Sequence, residues 1–482
     1  MFKKLVTLSF LLSISLMGLA QTQKPLSKED SLLKVYRKIA DTGDAIELKK
    51  VDSEIARLLK SSEEKDFTFA VRVAYTIKQR GLADSINKLA VQKFPLGKAA
   101  LMASYNMVIQ APQEIKAKLE AYETFLKKFP EPIEKPDIVY DYARSEIAST
   151  YAKSGDVANS ALWLSQIKSQ SYKGIAQASN SQIFLQKGDF VTAEKLAFEG
   201  LENIKASLEN NPNPNAQNDY YYYLQNYASL LYKIKKYDEA LKYINELRSN
   251  LKGYKLNQTN EVYALILTGT GKGKEALPML AELVKTGKGS NEVVVGLKEA
   301  YLQAKGKSEG FEKYLNELYA DMKKSIKAKL AKELISQPAP TFSLLDLKGN
   351  KVSLAELKGK VVILDFWATW CGPCKKSFPA MQKALDKYKE DPNVRFLFID
   401  TWERIPEPKK AVQAFIEDNK YTFSVLLDDN NTKVVDKFGI IGIPTKFIID
   451  GKGNIRYKLI GFEGSDEAAV EEISYMIESV RL

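Results

Sequence analysis

Histidine is absent from these 482 residues, and cysteine occurs only twice, as Cys371 and Cys374. A structural zinc site needs about four ligands, usually Cys and His, so the pair has no partners with which to build one. Two cysteines also make no disulfide framework. A purely structural bridge between them would close a loop too short to gain much entropy. Long apolar runs are equally scarce. One spans Leu5 to Leu19 behind Lys3 and Lys4, and Gly18-Leu19-Ala20 follow with small residues before Gln21. This is the pattern of a secretory signal and is short for a membrane span. Residues 1–20 are therefore expected to be cleaved and the mature chain to be soluble and periplasmic, with an uncleaved anchor as the alternative. No Cys follows the run, which excludes a lipid anchor there. Arg clusters, glycine-rich phosphate loops and aromatic stacking ladders are missing too, which argues against a nucleic-acid partner.

Against this background the two cysteines stand out. They lie in Trp370-Cys371-Gly372-Pro373-Cys374, directly after the strand-like run Val361 to Ala368. Two intervening residues let both sulfurs lie on the first turn of a helix, where a disulfide can form and be released. The helix dipole and free N–H groups there favour thiolate, the attacking species in disulfide exchange. The pair thus reads as a redox dithiol.

Length suggests two or three domains, and charge and texture differ along the chain. The net charge of +11 lies wholly before Pro338, because Lys and Arg balance Asp and Glu from there on. From about Lys24 to Leu334, apolar residues recur at helical spacing. Gly155-Asp156 and Gly188-Asp189 are 33 apart, Ala240 and Ala276 are 36 apart, and Lys93-Phe94-Pro95 and Lys128-Phe129-Pro130 are 35 apart. A period near 34 with small residues at helix contacts resembles tetratricopeptide repeats. Such arrays commonly present a concave surface to a protein partner; serving only as a support is the equal alternative. The basic charge reads as the solvated face of these helices. Four successive tyrosines, Tyr220 to Tyr223, point in different directions on a helix and are expected to divide between core and surface. Gln337-Pro338-Ala339-Pro340 stops the last helix. Strand-like runs then follow at 361–367, 394–399, 423–427, 445–449 and 455–460, with helical runs at 375–388, 409–419 and 466–479. That alternation predicts an α/β sheet covered on both faces. The expected organisation is a signal at 1–20, an all-α tetratricopeptide-like array over 21–335 and an α/β domain over 336–482.

The last part resembles the thioredoxin fold, in the subgroup of exported bacterial thiol-disulfide reductases of the TlpA/ResA type. The resemblance rests on Ala339 to Leu344, Val352 to Lys360, Phe366 to Trp370, the extra helix and strand between Asp400 and Asp428, and Phe438 to Thr445. It implies that Cys371, exposed, attacks a partner disulfide, that Cys374 resolves the mixed disulfide, and that Trp370 shields Cys371. Gly372 and Pro373 shape the turn as in reducing members of the fold. Ile443 precedes Pro444, which is expected to be cis and to expose backbone for substrate. Asp365 is a carboxylate inside an apolar strand, costly unless paired or functional. The resemblance makes it the base for Cys374, since Ser377 stands where the subgroup has Glu; a hydrogen bond to a neighbouring strand without catalytic effect is the alternative. Phe396 stands where thioredoxin has the lysine partner of that Asp, so the lysine is expected to be absent. No metal, flavin or nucleotide is implied; the redox-active disulfide is the only redox group. Electrons would come from a membrane thiol-disulfide donor and go to exported client proteins. The alternatives are an oxidase or isomerase of the same fold, and a helical binding scaffold with an accessory redox domain. A peroxiredoxin is disfavoured because Thr369 does not stand in a Thr-x-x-Cys setting.

Overall fold

The computed structural model describes residues 27–403, 407–428 and 433–481; the expected signal segment at 1–20 lies outside the described residues. The described residues form two compact units, divided between Lys93 and Phe94. The first contains α1 (Lys28–Thr42), α2 (Ala45–Leu58), α3 (Glu64–Thr76) and α4 (Arg80–Lys93). Val51 and Ile55 of α2 and Phe67, Ala70 and Val73 of α3 are buried there, and the Asp44 carboxylate caps α2 by accepting from the Ile46 amide.

The second unit opens with α5 (Lys98–Gln110), α6 (Ile115–Lys128), α7 (Val139–Ser154), α8 (Val157–Ser165), α9 (Gln170–Gln186) and α10 (Phe190–Asn210). It continues with α11 (Pro214–Lys233), α12 (Tyr237–Ser249), α13 (Gly253–Asn257), α14 (Asn260–Gly269), α15 (Gly273–Lys285), α16 (Asn291–Lys305) and α17 (Phe311–Glu333). The recurrent Gly-Asp pairs are the stops and starts of these helices. Gly155 and Gly188 adopt left-handed φ values of 89° and 81°, which glycine takes without a steric cost. Asp156 and Asp189 then cap α8 and α10 by accepting from the amides of Asn159 and Thr192. The recurrent alanines Ala240 and Ala276 are fully buried, as is Ala193 of α10. The tyrosines divide as expected: Tyr220 is buried and Tyr222 exposed.

From residue 337 an eight-stranded sheet forms, ordered β1-β8-β7-β4-β5-β6-β2-β3. Its strands are β1 (Gln337–Pro338), β2 (Ser343–Asp346), β3 (Lys351–Ser353), β4 (Val361–Trp367), β5 (Val394–Asp400), β6 (Val425–Leu427), β7 (Thr445–Ile449) and β8 (Asn454–Ile460). The helices are α18 (Gly372–Tyr388), α19 (Pro408–Asp418), α20 (Val434–Lys437) and α21 (Asp466–Ser479). β4 is parallel to β5 and antiparallel to β7. Every residue of β4 is buried, and its side chains alternate between two cores. Val361, Ile363 and Trp367 join α18 and α21 on one face. Val362, Leu364 and Phe366 join Val434, Phe438 and Phe447 on the other. This is the thioredoxin fold.

Three of the differences from the sequence reading have a clear local reason. α18 begins at Gly372 rather than Lys375, because the Cys371 sulfur caps it and Pro373 is tolerated in a first turn. β6 is shorter than expected because Phe423 instead stacks between Phe398 and Tyr421, with centroids 3.7 and 4.7 Å away. Gln337 and Pro338 do more than stop a helix. They pair with β8, and Arg456 Nε donates to the Ile335 carbonyl at 2.8 Å.

Candidate active site

Cys371 and Cys374 form a disulfide at the start of α18, with Cα atoms 5.3 Å apart. β4 delivers the chain to this point and its pairing on both sides fixes the direction of exit. The Cys374 amide donates to Cys371 Sγ at 3.2 Å, so the sulfur occupies the N-cap position and would share this amide as a thiolate. Cys374 is fully buried. Cys371, expected to be exposed, is only 3% exposed, because it belongs to the apolar cluster formed with Ala368 and Phe378. Gly372 and Pro373 form the first turn, and a Cβ at Gly372 would meet open space. Trp370 is 40% exposed and its indole Nε1 donates to the Trp402 carbonyl at 3.0 Å.

The peptide bond between Ile443 and Pro444 is cis. Ile443 packs against the cluster that holds both cysteines. The Pro444 carbonyl accepts from the Gly461 amide at 2.8 Å, so that oxygen belongs to the sheet.

Asp365 lies on the α18 face of β4, 1% exposed. Burial raises its pKa above the ordinary carboxylate value, and the Lys446 ammonium opposes the rise. The lysine expected to be missing is thus supplied from another strand. Phe396 does sit on β5, beside Ile363. Lys446 comes instead from β7, directly opposite Asp365, with Nζ 3.3 Å from Oδ1. No donor among the described residues is aligned for a hydrogen bond to either Asp365 oxygen, so the contact is an ion pair. Lys446 also donates to Ser377 Oγ at 3.3 Å, and Ser377 donates to the Cys374 carbonyl at 2.8 Å. Lys446 carried the same signal as Asp365, a charge within an otherwise apolar strand run. Its partner could be known only from the register of β4 against β7.

A second buried carboxyl group lies on the neighbouring strand. Asp400, at the end of β5, is 3% exposed. Burial first, then Glu403 and Asp428, push its pKa up to about 9, so it is a neutral acid at pH 7. Glu403 accepts from the Thr369 amide at 2.5 Å and from its hydroxyl at 2.9 Å. The backbone just before Trp370 and Cys371 is therefore held by the loop after β5. Sequence reading missed this brace because Asp400 and Glu403 reach the dithiol only through the pairing of β4 with β5. Among the described residues no cluster of Cys, Asp and Glu is arranged to hold a metal.

A strand ending in a capped dithiol, with a buried carboxylate on the same face, equips the chain for thiol-disulfide exchange. Residues 335–458 match the AhpC/TSA family. The thiol-disulfide oxidoreductase ResA of Bacillus cereus (strain ZK / E33L) is 37% identical over 133 residues, 28% of this chain and 73% of that protein. The chain belongs to the ResA-like thiol-disulfide oxidoreductases. The thioredoxin-like protein YneN of Bacillus subtilis (strain 168) is 38% identical over 120 residues, 25% of this chain and 68% of that protein. Among solved structures, StoA from Bacillus subtilis aligns at 31% identity over 28% of this chain and 97% of its own, with a TM-score of 0.25. A thiol:disulfide interchange protein of the thioredoxin family from Chlorobium tepidum TLS aligns at 25% identity over 31% of this chain and 98% of its own, with a TM-score of 0.26. Together with the dithiol, membership in this family makes the chain a thiol-disulfide oxidoreductase.

Proposed function

We propose that this ResA-like oxidoreductase is exported and works as a reductase of protein disulfides. The observation that carries the reading is the Cys371 sulfur at the N-cap of α18, accepting the Cys374 amide. That placement favours the thiolate that attacks. In the first step the Cys371 thiolate bonds to one client sulfur, the client S–S bond breaks, and the other client sulfur leaves as thiolate and takes a proton from water. In the second, Cys374 loses its proton to Asp365 and attacks Cys371. The mixed disulfide breaks, Cys371–Cys374 forms, and the second client sulfur leaves reduced. Two electrons pass from the dithiol to the client, with no metal, flavin or nucleotide. A membrane thiol-disulfide donor would return them. The Gly372-Pro373 dipeptide and Ile443 support the reducing direction. The apolar run behind Lys3 and Lys4 supports export. The helical array supports a role in holding client proteins. Expressing Cys374→Ser tests the reading, since it leaves the mixed disulfide unresolved. Disulfide-linked client proteins should accumulate outside the cytoplasm and disappear with Cys371→Ser. Absence of any thiol-sensitive adduct in Cys374→Ser would contradict it.

A further inference from the structure

Asp365 and Cys374 are sealed on the side where a client would sit: the two cysteines are 3% and 0% exposed and Asp365 is 1% exposed. A client bound to Cys371 would close that side further. If Asp365 takes the Cys374 proton, the proton needs another way out. The structure provides an opening behind α18. A cavity of about 430 Å³ lies between the helical array and the sheet. Its walls include Gly287, Ile326, Lys329, Gly461 and Ala469, and Lys446 and Ser377 form part of its lining. Asp365 does not line it, so Lys446 stands between Asp365 and the cavity. The pairing of Asp365 with Lys446 across β4 and β7 puts both side chains on one face.

Around Lys446, β4 presents Asp365, while β5 presents apolar Phe398 opposite Asp365. α18 presents Ser377 and Met381. α17 and α21 present Lys329 and Glu472, which pair with each other at 3.1 Å. Glu463, after β8, and Lys288, after α15, complete the charged lining.

We propose that Lys446 is a positioning residue that passes protons from Asp365 to water in this cavity, making the cavity the proton port of the resolving cysteine. The inference rests on Asp365 being the base for Cys374. Cys374 gives its proton to the Asp365 carboxylate as it attacks Cys371. The Lys446 ammonium gives a proton to cavity water and takes the one on Asp365, which restores the ion pair. One proton has then reached solvent through the back of the domain. Because α17 forms one wall, the helical array shares in building the route.

The test uses full-length protein with a thionitrobenzoate mixed disulfide on Cys371. Stopped-flow release of thionitrobenzoate reports the Cys374 step across pH, and the reaction of reduced protein with Ellman's reagent reports the Cys371 step. Lys446→Met should slow the Cys374 step about tenfold at pH 7, with the loss shrinking as pH rises and the thiol ionises unaided. Lys446→Arg, which keeps the charge but does not release a proton to water, should stay nearly as slow as Lys446→Met; recovery of the rate would show that charge alone suffices and overturn the relay. Ala469→Phe, which fills the cavity without touching the pair, should slow the Cys374 step and spare the Cys371 step. Asp365→Asn, measured in parallel, separates the two claims. If it slows the Cys374 step while Lys446→Met and Ala469→Phe do not, the port is refuted and the base stands. If Asp365→Asn has no effect, both fall. A loss in Lys446→Met that is equal in both steps and independent of pH would also overturn the proposal. Should Lys446→Met fail to fold, an unchanged Cys374 rate in Ala469→Phe would do so by itself.

Discussion

Two buried carboxyl groups lie on the neighbouring strands β4 and β5, and they differ in what surrounds them. Asp365 faces an ammonium, whereas Asp400 faces two further carboxylates, Glu403 and Asp428. The folded chain therefore keeps a proton on Asp400 that the unfolded chain has lost above its ordinary value of 3.8. With more protons bound in the native state, stability falls as pH rises between about 4 and about 9. Asp400→Asn removes this penalty. Its melting temperature should exceed that of the wild type by a margin that grows from pH 5 to pH 8; a margin constant with pH would contradict the assignment. At this scale the sequence showed the cysteines, Pro444 and Asp365, because each breaks a local pattern by itself. Lys446, Asp400 and Glu403 were not legible as parts of the site. Each acquires its role through a cross-strand or loop neighbour that no local pattern names.

Among the elements, α9 and α10 approach closely through two glycines. A Cβ on Gly174 would lie 2.6 Å from the Gly200 carbonyl oxygen, and one on Gly200 would lie 2.8 Å from the Gly174 oxygen. The obstacle in each case is backbone, which cannot swing aside as a side chain could, so the helices must separate. Gly174→Ala gains helix propensity worth about 0.5–1 kcal/mol. Overpacking costs about 1–3 kcal/mol, so the clash should win. A net loss of about 1 kcal/mol or more is expected in urea unfolding; a gain would show that the pair can yield. Helices were legible from periodicity and their ends from Gly155-Asp156 and Gly188-Asp189, whose residue types satisfy terminal backbone groups directly. Element ends set by a distant contact were not, as Phe423 shows: its ring stacks on Phe398 and β6 starts later.

At the scale of the whole molecule, α17 belongs by sequence to the helical array, yet its apolar face completes the core of the sheet domain. Met322, Ile326 and Leu330 share one cluster with Ile473, Met476 and Ile477 of α21. Each buried aliphatic side chain contributes about 1.5–3 kcal/mol. A fragment beginning at Pro338 should therefore melt lower than one beginning at Phe311 and expose an apolar face on α21. Equal melting temperatures would show that the cover is dispensable. Whether electrons flow from the dithiol to the client is decided by the reduction potential of the dithiol. Full-length protein equilibrated with glutathione buffers, with the thiols counted by alkylation, should give a value nearer thioredoxin at about −270 mV than DsbA at about −120 mV. A value on the oxidising side of about −180 mV would contradict a reductase and favour disulfide formation or isomerisation.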